Sequence, residues 1–278
     1  MTNYLQTDFD FNSDQLIEVI DELPFWSAPF GIKLLAKINL APNIKALDIG
    51  FGSGFPLTEL AMRLGNSCTV YGIDPWKAAV KRAKKKSEAY GISNIELIEG
   101  EAEKIPIDNS VIDLIISNNG INNVADLNKT LSECSRILKQ GGEFVQTVNL
   151  NSTMQEFYAL FEQVLMEMDL KNCLEKMHEQ IYSKRKPINE FTALIEQHGF
   201  TIVDVEEDSF DYKFVDGRAL FNHYFMRLAF LDGWKSIVPE EKQTTVFEKV
   251  ELLMNKQAKE QGFFKLSVPF VVISAKRD

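Results

Sequence analysis

Lys45-Ala46-Leu47-Asp48-Ile49-Gly50-Phe51-Gly52-Ser53-Gly54 is the stretch that decides the fold. Lys45 to Ile49 reads as a short buried strand. Gly50, Gly52 and Gly54 then carry the backbone through a tight turn without Cβ atoms. Pro56 to Leu64 reads as the helix leaving that turn, with Pro56 near its first position, where a missing N–H costs little. Strand, glycine loop and helix N-terminus together cradle an anionic or polar ligand.

Two details narrow the ligand. A dinucleotide loop spaces its glycines G-x-G-x-x-G, and here the third arrives one residue early, with Phe55 where that fingerprint wants glycine. The second detail is Asp48. A carboxylate at the end of a central strand is costly to bury unpaired. It suits a ligand with positive charge or several N–H donors, and it would repel the pyrophosphate of NAD. S-adenosylmethionine (SAM), with an ammonium and a sulfonium, satisfies it. A glycine-rich turn without any ligand is the plain alternative.

The surroundings supply a parallel sheet. Strands are expected at Lys45–Ile49, Thr69–Ile73, Ile95–Glu99, Val111–Ser117 and Glu143–Val148, and helices at Pro56–Leu64, Lys77–Tyr90 and Leu127–Leu138. Strands separated by helices of this length imply right-handed crossovers. Asp74 ends the second strand, 20 residues after Gly54, where a carboxylate can accept hydrogen bonds from ribose hydroxyls. It is followed by Pro75 and by Trp76, an aromatic ring for an adenine to lie against. Asn39 to Ile44 and everything before it precede this core. There, Asp14 to Leu23 reads as a helix, Leu23 to Gly31 as an irregular segment with two prolines, and Ile32 to Ile38 as a short helix. Trp26 and Phe30 in the irregular segment either pack on the domain or lid the ligand site.

These segments resemble the class I SAM-dependent methyltransferases. Asp48, Gly50, Gly52 and Gly54 match that family's E/D-x-G-x-G-x-G motif completely. Gly100-Glu101-Ala102-Glu103-Lys104-Ile105-Pro106-Ile107 is similar to its G-D-A-E-x-L-P-F segment, with Glu101 a methylene longer than the usual Asp. Arg136-Ile137-Leu138-Lys139-Gln140-Gly141-Gly142 is similar to R-x-L-K-P-G-G, with Gln140 replacing Pro. The group most resembled contains the ubiquinone/menaquinone C-methyltransferases (methyltransferase type 11) and arsenite methyltransferases. Asn119 stands where the arsenic enzymes carry cysteine. As(III) needs soft thiolates, so arsenite is not the expected substrate.

The resemblance implies an α/β fold, a Rossmann-like doubly wound, seven-stranded, mainly parallel sheet with helical cap insertions. Thr201–Phe214 would be strand six and Leu266–Ala275 an antiparallel strand seven. The implied division is a cap segment at 1–44, a SAM-binding core at 45–150, a helical insertion at 151–186, a core helix and strand at 187–216, a second insertion at 217–262 and a final core strand at 263–278. Within the first insertion Met154 to Met168 reads as a helix continuing irregularly to Lys184, and within the second Ala219 to Trp234 and Glu240 to Gln261 read as helices. The insertions either cap the substrate, or enlarge the core, or form a homodimer interface.

For the cofactor SAM, whose product is S-adenosylhomocysteine (SAH), the resemblance implies contacts from Asp48 near the methionine ammonium and from Gly50, Gly52 and Gly54 along the methionine and ribose. Asp74, Pro75 and Trp76 serve ribose and adenine, Glu101 and Ala102 the adenine, and Asn118 the sulfonium side. Candidate substrate residues are Trp26, Phe30, Asn119, Asn122, Tyr158, Arg185, His223 and Tyr224; of these His223, Tyr224 and Asn119 are the candidates for catalysis. His223 reads most simply as a satisfied core histidine, and Lys184-Arg185-Lys186 as a solvated charge cluster. His198 before Gly199 reads as a helix cap.

Composition bounds the rest. The 278 residues are 45% hydrophobic and 25% charged, an ordinary globular balance. A net charge of −10 disfavours a phosphate-backbone binder, so no nucleic-acid partner is expected. The basic stretch Lys77–Lys86 reads as a solvated helix face. Cys68, Cys134 and Cys173 are scattered and odd in number, which fits a reducing cytoplasm and neither a disulfide framework nor a zinc site. No metal, leader peptide or membrane span is expected. The expected function is transfer of a methyl group from SAM to a small, partly apolar molecule. The alternatives are an NAD-dependent oxidoreductase and a SAM-binding protein without transferase activity.

Overall fold

Five short apolar runs alternate with amphipathic helices, and each run becomes a strand. A computed structural model of the chain describes residues 3–6, 9–20 and 26–278. The strands are β1 (Lys45–Ile49), β2 (Thr69–Asp74), β3 (Ile95–Glu99), β4 (Ile112–Asn118), β5 (Leu138–Asn149), β6 (Phe200–Phe214) and β7 (Phe264–Arg277). They form one sheet of order β3-β2-β1-β4-β5-β7-β6. The first five run parallel, and β7 lies antiparallel to β5, with Glu143 opposite Lys276 and Asn149 opposite Phe270. This is the expected doubly wound arrangement with a reversed last strand. Apart from Lys45, β1 is wholly buried, as a parallel strand covered on both faces must be.

The helices are α1 (Asp14–Ile20), α2 (Ser27–Lys37), α3 (Leu57–Leu64), α4 (Lys77–Ala89), α5 (Leu127–Ile137), α6 (Gln155–Glu167), α7 (Lys171–Lys184), α8 (Ile188–Gln197), α9 (Gly217–Asn222), α10 (Tyr224–Met226), α11 (Asp232–Ile237) and α12 (Glu240–Gln261). α3 buries Leu57, Leu60, Ala61 and Leu64 at helical spacing, and its exposed side carries the Glu59–Arg63 pair. Asp126 caps α5 by accepting the Lys129 N–H, and Asp216 caps α9 by accepting that of Ala219. The basic face of α4 is exposed, and Lys81 and Lys85 pair there with Asp14 and Glu18 of α1.

Several boundaries differ from the sequence expectation for identifiable reasons. Helix α2 begins at Ser27, not Ile32. Pro29 falls in its first turn, where no intrahelical N–H is needed. Asp21 to Phe25, with the end of the expected first helix and Pro24, lie outside the described residues. β5 starts at Leu138, five residues early. Gly141, with φ 72°, belongs to an irregularity in the β4–β5 register. The long helix expected to run on to Lys184 is two, α6 and α7, divided where Asp169 takes φ 53°. The helix expected at Ala219–Trp234 breaks at His223, whose backbone is extended. It resumes as α10, passes through a π-helical turn at Arg227–Leu231 and continues as α11.

The chain forms two compact units. One comprises residues 10–149, 187–208 and 270–278 and contains β1 to β5 with α1 to α5 and α8. Its core is Leu47, Ile49, Leu57, Leu60, Ile115, Ile116, Phe144, Ile195 and Ile273. Phe30 is fully buried there, its ring edge-to-face on Phe270 at 4.6 Å and 5.6 Å from Trp26. The other unit comprises residues 1–9, 150–186 and 209–269. Its core is aromatic: Phe157, Phe161, Phe221, Trp234 and Phe247 are fully buried, with Trp234 stacked on Phe157 at 4.1 Å.

Candidate functional site

At the C-terminal end of β1, Gly50, Gly52 and Gly54 all take positive φ (75°, 54° and 115°), a region that side-chain-bearing residues avoid. The turn is fastened from β2. Gly50 donates its N–H to the Ile73 carbonyl at 2.9 Å. Gly52 donates to Asp74 Oδ2 at 2.8 Å, and Trp76 donates to Asp74 Oδ1 at 2.8 Å. Each Asp74 oxygen thus accepts one backbone N–H and keeps a lone pair for a ligand. Burial raises the Asp74 carboxyl above the usual carboxylate range, and those two N–H groups act against the rise.

Gly120 crosses this turn. A Cβ there would lie 2.2 Å from the Ile49 carbonyl oxygen and 2.9 Å from Gly50 Cα. Ser117 brings the two loops together. Its hydroxyl donates to the Ile49 carbonyl at 2.9 Å and accepts the Ile121 N–H at 3.0 Å. Two backbone segments therefore meet without side chains at the C-terminal ends of β1 and β4, where the strand order reverses and ligands bind in such sheets.

A cavity of about 400 Å³ opens beside this crossing, lined by Ile49, Gly50, Ile73, Asp74, Pro75, Trp76, Glu101, Ala102, Glu103, Gly120, Asn123, Val124 and Ala125. Asp74, Glu101 and Glu103 supply carboxylates among a mainly apolar lining, and no lysine or arginine lines it. Such walls accept hydroxyl and amino donors and a flat ring, and disfavour a phosphate. Glu103 accepts the Asp126 N–H at 2.9 Å, and Trp76 Nε1 donates to the Phe11 carbonyl. The segment after Glu103 is held by Arg136, which donates to the Ile105 and Ile107 carbonyls and pairs with Glu133.

Of the residues singled out in the sequence, Gly50, Asp74, Pro75, Trp76, Glu101 and Ala102 meet at this cavity. Gly52 and Gly54 shape the turn behind it. Asp48 is fully buried, and neither carboxylate oxygen has a hydrogen-bond partner among the described residues. Burial first, and the charge of Asp74 second, push it well above the usual carboxylate range; the Leu57 N–H opposes this without forming a bond of full geometry. Asn118 is occupied by the protein, donating to the Ser27 carbonyl and accepting from Thr147, both at 3.0 Å. Asn119, with φ 58°, accepts from Asn122 Nδ2 at 3.0 Å, while its own Nδ2 is buried without a partner among the described residues.

The remaining candidates belong to the aromatic unit, apart from Trp26 and Phe30. Tyr158 accepts from Trp234 Nε1 at 3.2 Å. Tyr224 is exposed and meets Phe9 edge-on. His223 is not the satisfied core histidine expected: it sits 5.6 Å from the Phe214 ring and 6.1 Å from Tyr212, and its buried Nδ1 has no partner among the described residues. Nor is Arg185 part of a solvated cluster, for it is only 9% exposed. Sequence reasoning missed Gly120, Glu103, Asn123, Val124 and Ala125. Glycine 120 was the one legible signal, an isolated glycine after a strand. Among the described residues no group of three His, Cys, Asp or Glu is placed to hold a metal, and no helix is long and apolar enough to cross a membrane.

A parallel sheet with a reversed seventh strand, and a cavity beside a glycine turn rimmed by carboxylates, define a Rossmann-like methyltransferase. Comparison with known proteins agrees. The family model described as methyltransferase domain matches residues 40–199, more than half of the chain. The chain is 30% identical over 153 residues to a protein of Saccharolobus solfataricus named probable cobalt-precorrin-6B C(15)-methyltransferase (decarboxylating), covering 54% of this chain and 75% of that one. It is 26% identical over 181 residues to demethylmenaquinone methyltransferase of Bacillus mycoides, covering 62% and 76%. The YcgJ protein of Bacillus subtilis shares the fold with a TM-score of 0.58 at 16% identity, covering 90% of this chain and 98% of that one. The chain belongs to the methyltransferase domain family, as an enzyme whose methyl donor is SAM.

Proposed function

We propose that the cavity beside Gly50 and Asp74 holds SAM, and that the enzyme transfers its methyl group to a small, partly apolar molecule. The observation that carries this reading is Asp74, whose carboxylate is fixed by the Gly52 and Trp76 N–H groups and borders the cavity with lone pairs to spare. The residues fit the donor. Ribose hydroxyls have Asp74 as acceptor, the adenine has Trp76, Pro75 and Ala102 as walls, and Glu101 can accept from its amino group. The partnerless carboxylate of Asp48 suits the methionine ammonium, through water or backbone. Gly50, Gly52 and Gly54 leave backbone room along the methionine and ribose, and Asn118 is the candidate on the sulfonium side, its amide held by Ser27 and Thr147.

Bound SAM supplies an electrophilic methyl carbon on a cationic sulfur. The chain's own task is to orient the acceptor, exclude water and, for a hydroxyl or acidic carbon, remove a proton. Asn119, His223 and Tyr224 are the candidates for contact with the reacting atoms. Trp26, Asn122, Tyr158 and Arg185 are the further candidates for acceptor contacts, whereas Phe30, fully buried against Phe270, is a core residue and not the acceptor contact expected.

Calorimetric titration of the full chain with SAH, SAM and NADH tests the donor. SAH and SAM are expected to bind and NADH to give no heat of binding. Tighter binding of NADH, or no binding of SAH, would overturn the reading.

A further inference from the structure

Two glutamates, Glu101 and Glu103, line the cavity on either side of the buried Ala102, and the fold treats them differently. Glu101 is exposed, and its side chain makes no hydrogen bond or ion pair with the described residues. Glu103 is half-buried and held. Its Oε1 accepts the Asp126 backbone N–H at 2.9 Å, and its Oε2 has no partner among the described residues. This carboxylate therefore has one oxygen committed to the protein and one left for the cavity that the residue lines.

Both ends of that hydrogen bond are anchored. Asp126 caps α5, where its side chain accepts the Lys129 N–H at 3.1 Å. The turn that carries Glu103 is closed by the Lys104 N–H on the Glu101 carbonyl at 3.2 Å. Its far end is tied to the same helix. Glu133 accepts the Ile105 N–H at 2.7 Å, and Arg136 donates to the Ile105 carbonyl at 2.8 Å. An unheld side chain such as Glu101 loses rotamer freedom when it takes a ligand, whereas Glu103 has already lost it on folding.

A carboxylate only accepts hydrogen bonds. In the same cavity Trp76, Pro75 and Ala102 offer walls to a flat ring. We infer that Glu103, and not Glu101, selects the base of the methyl donor. Its Oε2 accepts from the exocyclic amino group of adenine. A purine with an oxo group at that position is rejected, because its lone pairs would face the carboxylate. This rests on the reading of the cavity as the SAM site. The sequence resemblance assigns the adenine contact to Glu101, the longer counterpart of the usual Asp, whereas the fold has fixed the carboxylate two residues further on.

The test is calorimetric titration of the full chain with SAH and with S-inosylhomocysteine, which carries an oxo group and a ring N–H in place of the amino group and its neighbouring ring nitrogen. The wild type should bind SAH about tenfold or more tightly, the scale of one hydrogen bond to a charged group. Glu103→Gln keeps an oxygen for the Asp126 N–H, and this directs its amide NH2 to the place of Oε2, a donor where an acceptor stood. The variant should therefore bind S-inosylhomocysteine at least as tightly as SAH. A purely structural role for Glu103 would weaken both ligands alike and keep their ratio. Glu101→Gln, whatever it costs both ligands, should leave SAH the preferred one. Equal affinity of the wild type for the two ligands overturns the inference, as does an undiminished preference in Glu103→Gln or its loss in Glu101→Gln. If Glu103→Gln does not fold, the wild-type ratio and the Glu101→Gln ratio decide it. Failure of both ligands to bind the wild type would strike the donor reading, and this inference with it.

Discussion

Asp74 accepts the Gly52 backbone N–H at 2.8 Å, so a side chain at the end of β2 pins the glycine turn that leaves β1. The same carboxylate borders the cavity. It holds the turn in shape and faces the cavity at once.

Asp74→Ala removes both. SAH affinity should fall by about 1–3 kcal/mol, the scale of hydrogen bonds to a charged group. Asp74→Asn keeps one acceptor oxygen and should lose less. Calorimetry reads both, and an affinity for SAH unchanged in the alanine variant would exclude the ribose role.

Asp48 predicts a pH dependence. Its folded-state pKa is raised, chiefly by burial and then by the charge of Asp74, so the folded state holds the proton more tightly than the unfolded chain does. The stability this proton contributes is full below the unfolded value of 3.8 and is lost as pH rises through the folded value. Asp48→Asn stays neutral throughout. Without ligand, the variant should therefore melt above the wild type at pH 7, and the gap should close as pH falls toward 4. It should nonetheless bind SAH more weakly. Parallel melting curves at all pH values would show that Asp48 does not carry this burden.

Gly120 predicts a packing effect. The Cβ of an alanine would lie 2.2 Å from the Ile49 carbonyl oxygen and 2.9 Å from Gly50 Cα, and backbone cannot step aside as a side chain can. Gly120→Ala should cost about 1–3 kcal/mol of stability and weaken SAH binding as the turn shifts. Gly91→Ala serves as the control: its positive φ strains an alanine, but nothing lies within 4 Å of the added carbon and it is remote from the cavity. It should lose stability without losing SAH affinity, as thermal melts alongside calorimetry would reveal.

His223 titrates in the opposite sense to Asp48. Burial lowers its folded pKa below 6.5, and the ring is neutral at pH 7. Its contribution to stability is full above 6.5 and is lost as pH falls through the folded value. His223→Phe should therefore flatten the decline in melting temperature between pH 7 and pH 5. If the ring also removes the acceptor's proton, the variant loses turnover at pH 7 while its melting temperature holds. Equal acid sensitivity of variant and wild type would count against both the burial and the titration.

The boundaries of β1, β3 and α12 were legible to the residue, because an apolar run or an amphipathic period bounded by turn residues is a local signal. So were the glycine turn and Asp74, since each rests on residue type and spacing. Helix α2 and strand β5 were misread at their starts for a different reason. Pro29 and Gly141-Gly142 are breakers in isolation, and only their position in a first turn, or beside a register irregularity, makes them tolerable. Gly120, Val124 and Ala125 reach the cavity because Ser117 draws the β4 loop against the β1 turn, a contact between residues nearly seventy positions apart.

By itself, the sequence determined the sheet, its crossovers and the glycine turn beside the cavity, all products of local periodicity and of glycines that accept the turn's positive φ. The tertiary structure decided which groups were left without partners. Asp48, Asn119 and His223 hold buried polar atoms with no partner among the described residues, and Arg185 is buried between lysines that are not. No spacing rule could reveal this, because whether a polar group is satisfied depends on what the fold brings against it from elsewhere in the chain.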